Sequence, residues 1–296
     1  MLKNSKKKGL STRAIHAGQE PDKSTGAIMV PIYATSTYIQ KSPGEHLGFE
    51  YSRTQNPTRT AYEKCVADLE SGEFGFAFAS GMAAADTILS LLKVGDEVLA
   101  IDDLYGGTRR LFEKVRMLKS GITFKFINYK DFENVNSYIT KNTKMIWVET
   151  PTNPMLTLVD LKQLGAIKGD IIKVVDNTFA SPINQRPLEF NIDIVMHSAT
   201  KYLNGHSDMI GGVAITNSKK IAEFIVSYLK NSGLEIKTFG IDNEKKNVVA
   251  SAHKGSNRSI VFNSHIDTVR PIISEWKSNP FDLKIEKNYS RCADYY

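Results

Sequence analysis

Cysteine is scarce in this 296-residue chain. The two present, Cys65 and Cys292, lie far apart and form neither a metal-spaced pair nor a disulfide framework. That excludes a small stapled scaffold and favours a reducing compartment, with the cytoplasm as the expected location. No apolar run is long and clean enough to span a bilayer: the nearest, Phe74 to Leu92, is interrupted by Ser80, Gly81, Asp86 and Thr87, which are costly in lipid. It reads as a buried strand followed by a buried helix. A basic stripe with interleaved aromatics is also missing, so the net charge of +6 points to no nucleic-acid partner. The first residues carry charge, including Lys6-Lys7-Lys8, but no apolar run follows, so they do not read as a signal peptide. There is no internal repeat or low-complexity segment.

What is present is globular: 41% hydrophobic and 24% charged, sufficient for one large domain or two smaller ones. Residues 1–60 are rich in turn formers and aromatics and read as an arm. From Thr60 apolar residues recur at helical spacing through Tyr62, Val66 and Leu69, which predicts a helix there. Short apolar runs then alternate with helical stretches: 74–79, a helix from Met82, 97–101, a helix from Thr108, then 122–127, 144–149, 171–176, 192–196 and 211–216. Strands separated by helices imply a mostly parallel α/β sheet, with ligands at the carboxyl ends of its strands. After Asn217 the pattern restarts with an amphipathic helix carrying Ile221, Phe224, Ile225 and Leu229, ended by Asn231-Ser232-Gly233. Strands are expected at 234–239, 247–251 and 259–263.

Four expected strand ends carry unusual polar residues: Ser80-Gly81-Met82, Glu149 to Pro154, Asp176-Asn177-Thr178, and Ser198 to Lys201. In a parallel sheet such ends share one edge and can converge on one ligand. Ser80-Gly81-Met82 lies at a strand-to-helix turn, where free backbone N–H groups suit a phosphate. Ser198 and Thr200 add hydroxyls. Lys201, just past an apolar strand, is suited to form a Schiff base if partial burial frees its amine. Asp176 could hold a heterocyclic N–H⁺. Each feature alone has an ordinary reading, as a helix start, a cap or a surface lysine; their joint occurrence points to pyridoxal 5′-phosphate.

The motifs YSRTQNPTR (51–59), SGMAA (80–84), DLYGGT (103–108), ETPTNP (149–154), VVDNTF (174–179) and HSATKYLNGHSD (197–208) resemble the Cys/Met-metabolism family of pyridoxal-phosphate enzymes, which includes cystathionine γ-synthase, γ-lyase and β-lyase and methionine γ-lyase. The resemblance runs from about Ser11 to about Asn217. It implies an aspartate-aminotransferase-like, fold type I large domain over 61–217, following the arm of 1–60. By resemblance Lys201 is the imine-forming lysine and proton shuttle, Asp176 pairs with the ring nitrogen, and Tyr105 stacks on the ring. Gly81, Met82, Ser198 and Thr200 hold the phosphate, and Asn153 sits near the ring's phenolic oxygen. Tyr51 and Arg53 resemble a pair that reaches into a neighbouring subunit's site, which implies a homodimer or homotetramer; packing of that loop on its own chain is the alternative. The implied reaction is trans-sulfuration on a sulfur-containing amino acid, and the motifs do not separate its β and γ variants.

From about Lys219 the sequence shows no match to the family's C-terminal domain, so cofactor binding with impaired turnover is expected. The stretch 218–296 instead resembles the opening α/β fragment of a different family, the dinuclear zinc amidohydrolases that include acetylornithine deacetylase and succinyl-diaminopimelate desuccinylase. The resemblance rests on His265-Ile266-Asp267-Thr268-Val269 after SIVFN, with Trp276 and Asn279-Pro280-Phe281 beyond. It implies His265 as a zinc ligand and Asp267 as its orienting partner. One ligand does not make a catalytic zinc site, so the two are read as vestigial. A chimeric or inactive fusion, or a hydrolase remnant, are the other functional readings.

Overall fold

The computed structural model describes residues 8–42 and 45–230, and the strand backbone of 235–240, 246–251, 284–286 and 289–291. The chain divides into two compact units, Met1–Ser232 and Gly233–Tyr296. The first opens with helix α1 (Leu10–His16) and two short paired strands, β1 (Gln40–Ser42) and β2 (Glu45–His46). Helix α2 (Pro57–Leu69) follows. Its start is written in the sequence: the Asn56 side chain accepts from the amides of Thr58 and Arg59, and Pro57 occupies the first helical position, where a missing N–H costs nothing.

Seven strands then form one sheet: β3 (Phe74–Phe78), β4 (Glu97–Ile101), β5 (Thr123–Ile127), β6 (Thr143–Glu149), β7 (Ile172–Asp176), β8 (Ile194–Ser198) and β9 (Gly212–Thr216). Their spatial order is β3-β9-β8-β7-β6-β4-β5. The pairings from β8 through β7, β6 and β4 to β5 are parallel, whereas β9 runs antiparallel to both β8 and β3. The expected mostly parallel α/β architecture is thus the observed one. Helices α3 (Gly81–Leu89), α4 (Gly106–Arg110), α5 (Met117–Ser120), α6 (Leu161–Ala166) and α7 (Ser181–Asn184) lie between strands, and α8 (Lys219–Lys230) follows β9.

Both faces of the sheet are covered, which is why its central strands read as continuous apolar runs rather than alternating ones. Successive residues feed opposite cores. Ile194, Met196 and Ala214 join the larger cluster with Ile88, Trp147 and Ile225; Val195, Val213 and Ile215 join a smaller one with Val66 and Ala67 of α2. Phe112 anchors the larger core, stacked on Phe124 at 4.5 Å and edge-on to Trp147 at 5.4 Å.

On α2, Val66 and Ala67 are buried and Tyr62 is exposed. At Gly75 a side chain would meet the Glu63 carbonyl at 2.3 Å, so the helix backbone lies directly on the strand there. Ile221, Ala222 and Ile225 of α8 are buried in the first unit.

In the second unit β10 (Glu235–Gly240) pairs antiparallel with β11 (Lys246–Ser251), and β12 (Lys284–Glu286) with β13 (Tyr289–Arg291). The strand expected at 259–263, and His265, Asp267 and Cys292, lie outside the described residues. Among the described residues no helix is long and apolar enough to cross a membrane.

Candidate cofactor site

The carboxyl ends of β6, β7 and β8 and the start of α3 share one edge of the sheet, and they are stitched together by short bonds. Ser80 caps α3 through its hydroxyl, which accepts from the Ala83 amide at 3.1 Å, and the helix's own bonding begins with Ala84 N donating to Ser80 O. The amides of Gly81 and Met82 therefore lie outside the helical pattern and are available to an anion. Glycine is needed at 81: a Cβ there would stand 2.9 Å from Cα and Cβ of Ser198, so the helix start and the end of β8 are in backbone contact. The Ser198 amide donates to the Thr178 hydroxyl at 2.9 Å, and that hydroxyl donates to Asp176. Asp176, Thr178, Ser198 and Gly81 are one cluster.

Asp176 is buried and also accepts from the Thr178 amide at 3.1 Å. Burial pushes its carboxyl up; the Thr178 hydroxyl and amide and the charge of His197 oppose that rise. A carboxylate denied water in this way is relieved by a cationic N–H, and so suits a pyridinium nitrogen beside a phosphate cradle. The residues present fit pyridoxal phosphate.

Glu149 is a site residue to which sequence reasoning gave no role. It pairs in register with Asp176 on the neighbouring strand, is buried, and accepts from the Tyr105 amide at 2.8 Å. Burial first, then the charge of Asp176, push its carboxyl up to about 8, while the amides of Tyr105 and Asn153 pull it back. Tyr105 is half exposed at the start of α4, with its ring over Gly107, where a Cβ would meet Cε1 at 2.4 Å. Asp103 accepts from the hydroxyls of Thr152 and Thr157, which ties the 149–157 segment to the one carrying Tyr105. Asn153 lies in this tied segment, between the cis peptide bonds Thr150–Pro151 and Asn153–Pro154.

Four expected residues stand differently. Lys201 is exposed rather than partly buried, because it sits in the turn beyond β8, held by its amide to Ser198 O at 3.2 Å. The Thr200 hydroxyl is engaged with the backbone of Gly211, donating at 3.3 Å and accepting at 3.1 Å. Tyr51 and Arg53 make no hydrogen bond to the cluster; they meet each other, with the guanidinium carbon 5.1 Å from the ring centroid.

Behind the strand ends lies a second polar cluster to which sequence reasoning gave no role. His197 Nε2 is 2.6 Å from Glu70 Oε1, both side chains about 1% exposed. Asn177 Nδ2 donates to the same oxygen at 2.7 Å, and Gln185 Nε2 donates to Asn177 Oδ1 at 2.8 Å and to Thr150 O at 2.6 Å. Among the described residues no group of three or more His, Cys, Asp or Glu side chains is arranged to hold a metal ion.

Residues 11–241 match the family model described as Cys/Met metabolism PLP-dependent enzyme. That match runs past the limit near 217 expected from the motifs, so 218–241 falls within it. A cystathionine β-lyase of Coxiella burnetii is 59% identical over 231 residues, 77% of this chain and 60% of the relative. A probable cystathionine γ-synthase of Herpetosiphon aurantiacus is 50% identical over 226 residues, 76% of this chain and 70% of the relative. Among solved structures, cystathionine γ-lyase from Lactobacillus plantarum, complexed with L-serine, superposes with a TM-score of 0.72 at 46% identity, covering 76% of this chain and 59% of that one. The chain spans about 60% of the length of the β-lyase it matches.

Proposed function

Because the chain belongs to the Cys/Met metabolism PLP-dependent enzyme family, we propose that its first unit is the cofactor-holding part of a trans-sulfuration enzyme that forms or cleaves C–S bonds in sulfur-containing amino acids. The observation that carries this reading is the stitching of Gly81, Ser198, Thr178 and Asp176 into one cluster at the sheet edge. Pyridoxal phosphate, when bound, supplies an electron sink for negative charge developing on the substrate carbon.

In this reading the amides of Gly81 and Met82, with the hydroxyls of Ser198 and Thr200, bind the phosphate. Asp176 keeps the ring nitrogen protonated. Tyr105 stacks on the ring, its position set by the bond from its amide to Glu149, and Asn153 lies near the phenolic oxygen. The Lys201 amine holds the cofactor covalently and afterwards carries the substrate's α-proton, a role that suits a side chain free to swing in a turn. The substrate is a sulfur-containing amino acid.

The site is proposed to be completed by a second copy of the chain, as a homodimer or homotetramer, with Tyr51 and Arg53 reaching across. The arm's exposure supports this: Ile28, Ile32, Ile39 and Leu47 all stand in solvent. A reducing compartment such as the cytoplasm fits the free Cys65. For the stretch beyond 241, kinship with zinc amidohydrolases is proposed from sequence alone, with His265 and Asp267 vestigial; zinc titration of the wild type against His265→Ala tests it, and tight binding lost in the variant would restore a working metal site.

The test of the main reading is reductive trapping. The purified chain is saturated with pyridoxal phosphate, treated with borohydride and digested, and the modified peptide is identified by mass spectrometry. A single label on Lys201, abolished in Lys201→Ala, is expected. Label spread over many lysines, or retained in the variant, overturns the assignment.

A further inference from the structure

The Glu70–His197 pair lies on the opposite face of the sheet from Asp176. Met196 is the register partner of Asp176 and joins the larger core, so His197, next along β8, turns to the side of Val195 and α2. There it meets Glu70, the residue that ends α2. Glu70 Oε1 accepts from Asn177, and with Glu70 as a carboxylate the 2.6 Å contact has His197 Nε2 as its donor.

A carboxylate about 1% exposed is expensive unless a cation neutralises it. Among the described residues the one ion-pair partner of Glu70 is His197. Neither Glu70 Oε2 nor His197 Nδ1 has a hydrogen-bond partner within the described residues, so no other group offsets the charge. As an imidazolium and a carboxylate the two would neutralise each other. Asn177 faces the pair, the carboxyls of Asp176 and Glu149 stand on the other face of the sheet, and on β9 the register partner of His197 is the apolar Val213.

His197 thus adjoins one anchor of the site in the chain and reaches the neighbour of the other through Glu70. His197 precedes Ser198, and its partner Glu70 is bonded to Asn177, which follows Asp176. We propose that His197, ionised and paired with Glu70, is a positioning residue that holds Asp176 in the carboxylate form required by the cofactor's ring nitrogen. The inference rests on Asp176 as the ring-nitrogen partner. Its physical content is a difference between two neighbouring carboxyls that burial pushes up: the charge of His197 pulls Asp176 back down, whereas no cation does so for Glu149.

Nitrogen-15 NMR of the full chain tests this at two places. In the wild type, labelled histidine should show His197 as imidazolium from pH 6 to 8; a neutral ring at pH 7 overturns the proposal without any variant. With cofactor labelled at the ring nitrogen, the wild type should hold that nitrogen protonated. His197→Gln, which keeps a donor for Glu70 but no charge, should bring deprotonation to lower pH by about one unit or more. Glu70→Gln, which removes the reason for His197 to ionise and changes almost no volume, should shift it the same way, and the double variant no further than the larger single shift.

Variants that bind less cofactor but keep an unshifted ring-nitrogen titration show that the pair is only structural and overturn the proposal. A ring nitrogen already neutral in the wild type, or one indifferent to Asp176→Asn, overturns the role of Asp176 itself, a separate failure from that of His197.

Discussion

The Tyr105 amide donates to Glu149 Oε2 at 2.8 Å, joining the turn before α4 to the end of β6. One carboxyl therefore sets the backbone of the residue expected to stack on the ring, while sharing the strand edge with Asp176.

The raised carboxyl of Glu149 makes stability depend on pH. Its folded value, about 8, lies above the 4.5 of a free glutamate, so between these values the folded chain holds a proton that the unfolded chain has released. Stability falls as pH rises through that window, and Asp176, also raised, contributes with the same sign. Glu149→Gln should flatten the dependence: urea midpoints from pH 5 to 8 should decline less in the variant, by an amount equivalent to about 2 kcal/mol. Parallel declines in the two proteins would refute a proton on Glu149.

Gly81→Ala should strike stability and anion binding together. The new methyl meets backbone and side-chain carbon of Ser198 at 2.9 Å, and neither can swing away. A loss of about 1–3 kcal/mol is expected from overpacking, with weaker binding of pyridoxal phosphate. Thermal melts and a fluorescence titration measure the two effects.

Asp103→Ala should loosen the 149–157 segment. It removes the acceptor of two threonine hydroxyls, one of them on the fully buried Thr152, and costs about 1–3 kcal/mol for the stranded donor. Hydrogen exchange should accelerate at Thr152 and Thr157, whose amides are bound within the segment, but not in β8. Because the charge of Asp103 also pushes Glu149 up, the variant should lower the Glu149 value.

Mixing subunits tests the arm. If Arg53 serves the neighbouring copy, mixed Arg53→Ala and Lys201→Ala chains should recover about one quarter of the wild-type tight cofactor sites after exchange, since half the dimers then contain one intact site. No recovery places Arg53 on its own chain.

The strand ends were legible because each is a local signal: an apolar run closed by a polar residue, as in KVVD ending at Asp176. The start of α2 at Asn56-Pro57 is an equally local signal, but the helix was expected only from Thr60. The buried stripe of α2 is no such signal, because the helix backbone rests on Gly75, a contact that periodicity does not encode. Glu70 and His197 were invisible for another reason: the two are brought together only by the crossing of α2 behind β8. Glu149 stood in a quoted motif, yet its task depends on the Tyr105 amide and on Asp176, neither close to it in sequence.

The position of β9 has a consequence for how the chain is made. β3 is the first strand of the large sheet to leave the ribosome, but its sole neighbour there is β9, which ends at Thr216. Until that strand emerges, β3 has no partner in the sheet, while β4 to β8 can already pair among themselves. The nascent chain thus carries the apolar FGFAF segment as an open edge through much of its synthesis, a period in which neighbouring nascent chains could capture it. Ribosome-bound fragments ending before Gly212 should bind trigger-type chaperones, and fragments long enough to expose Thr216 outside the exit tunnel should release them.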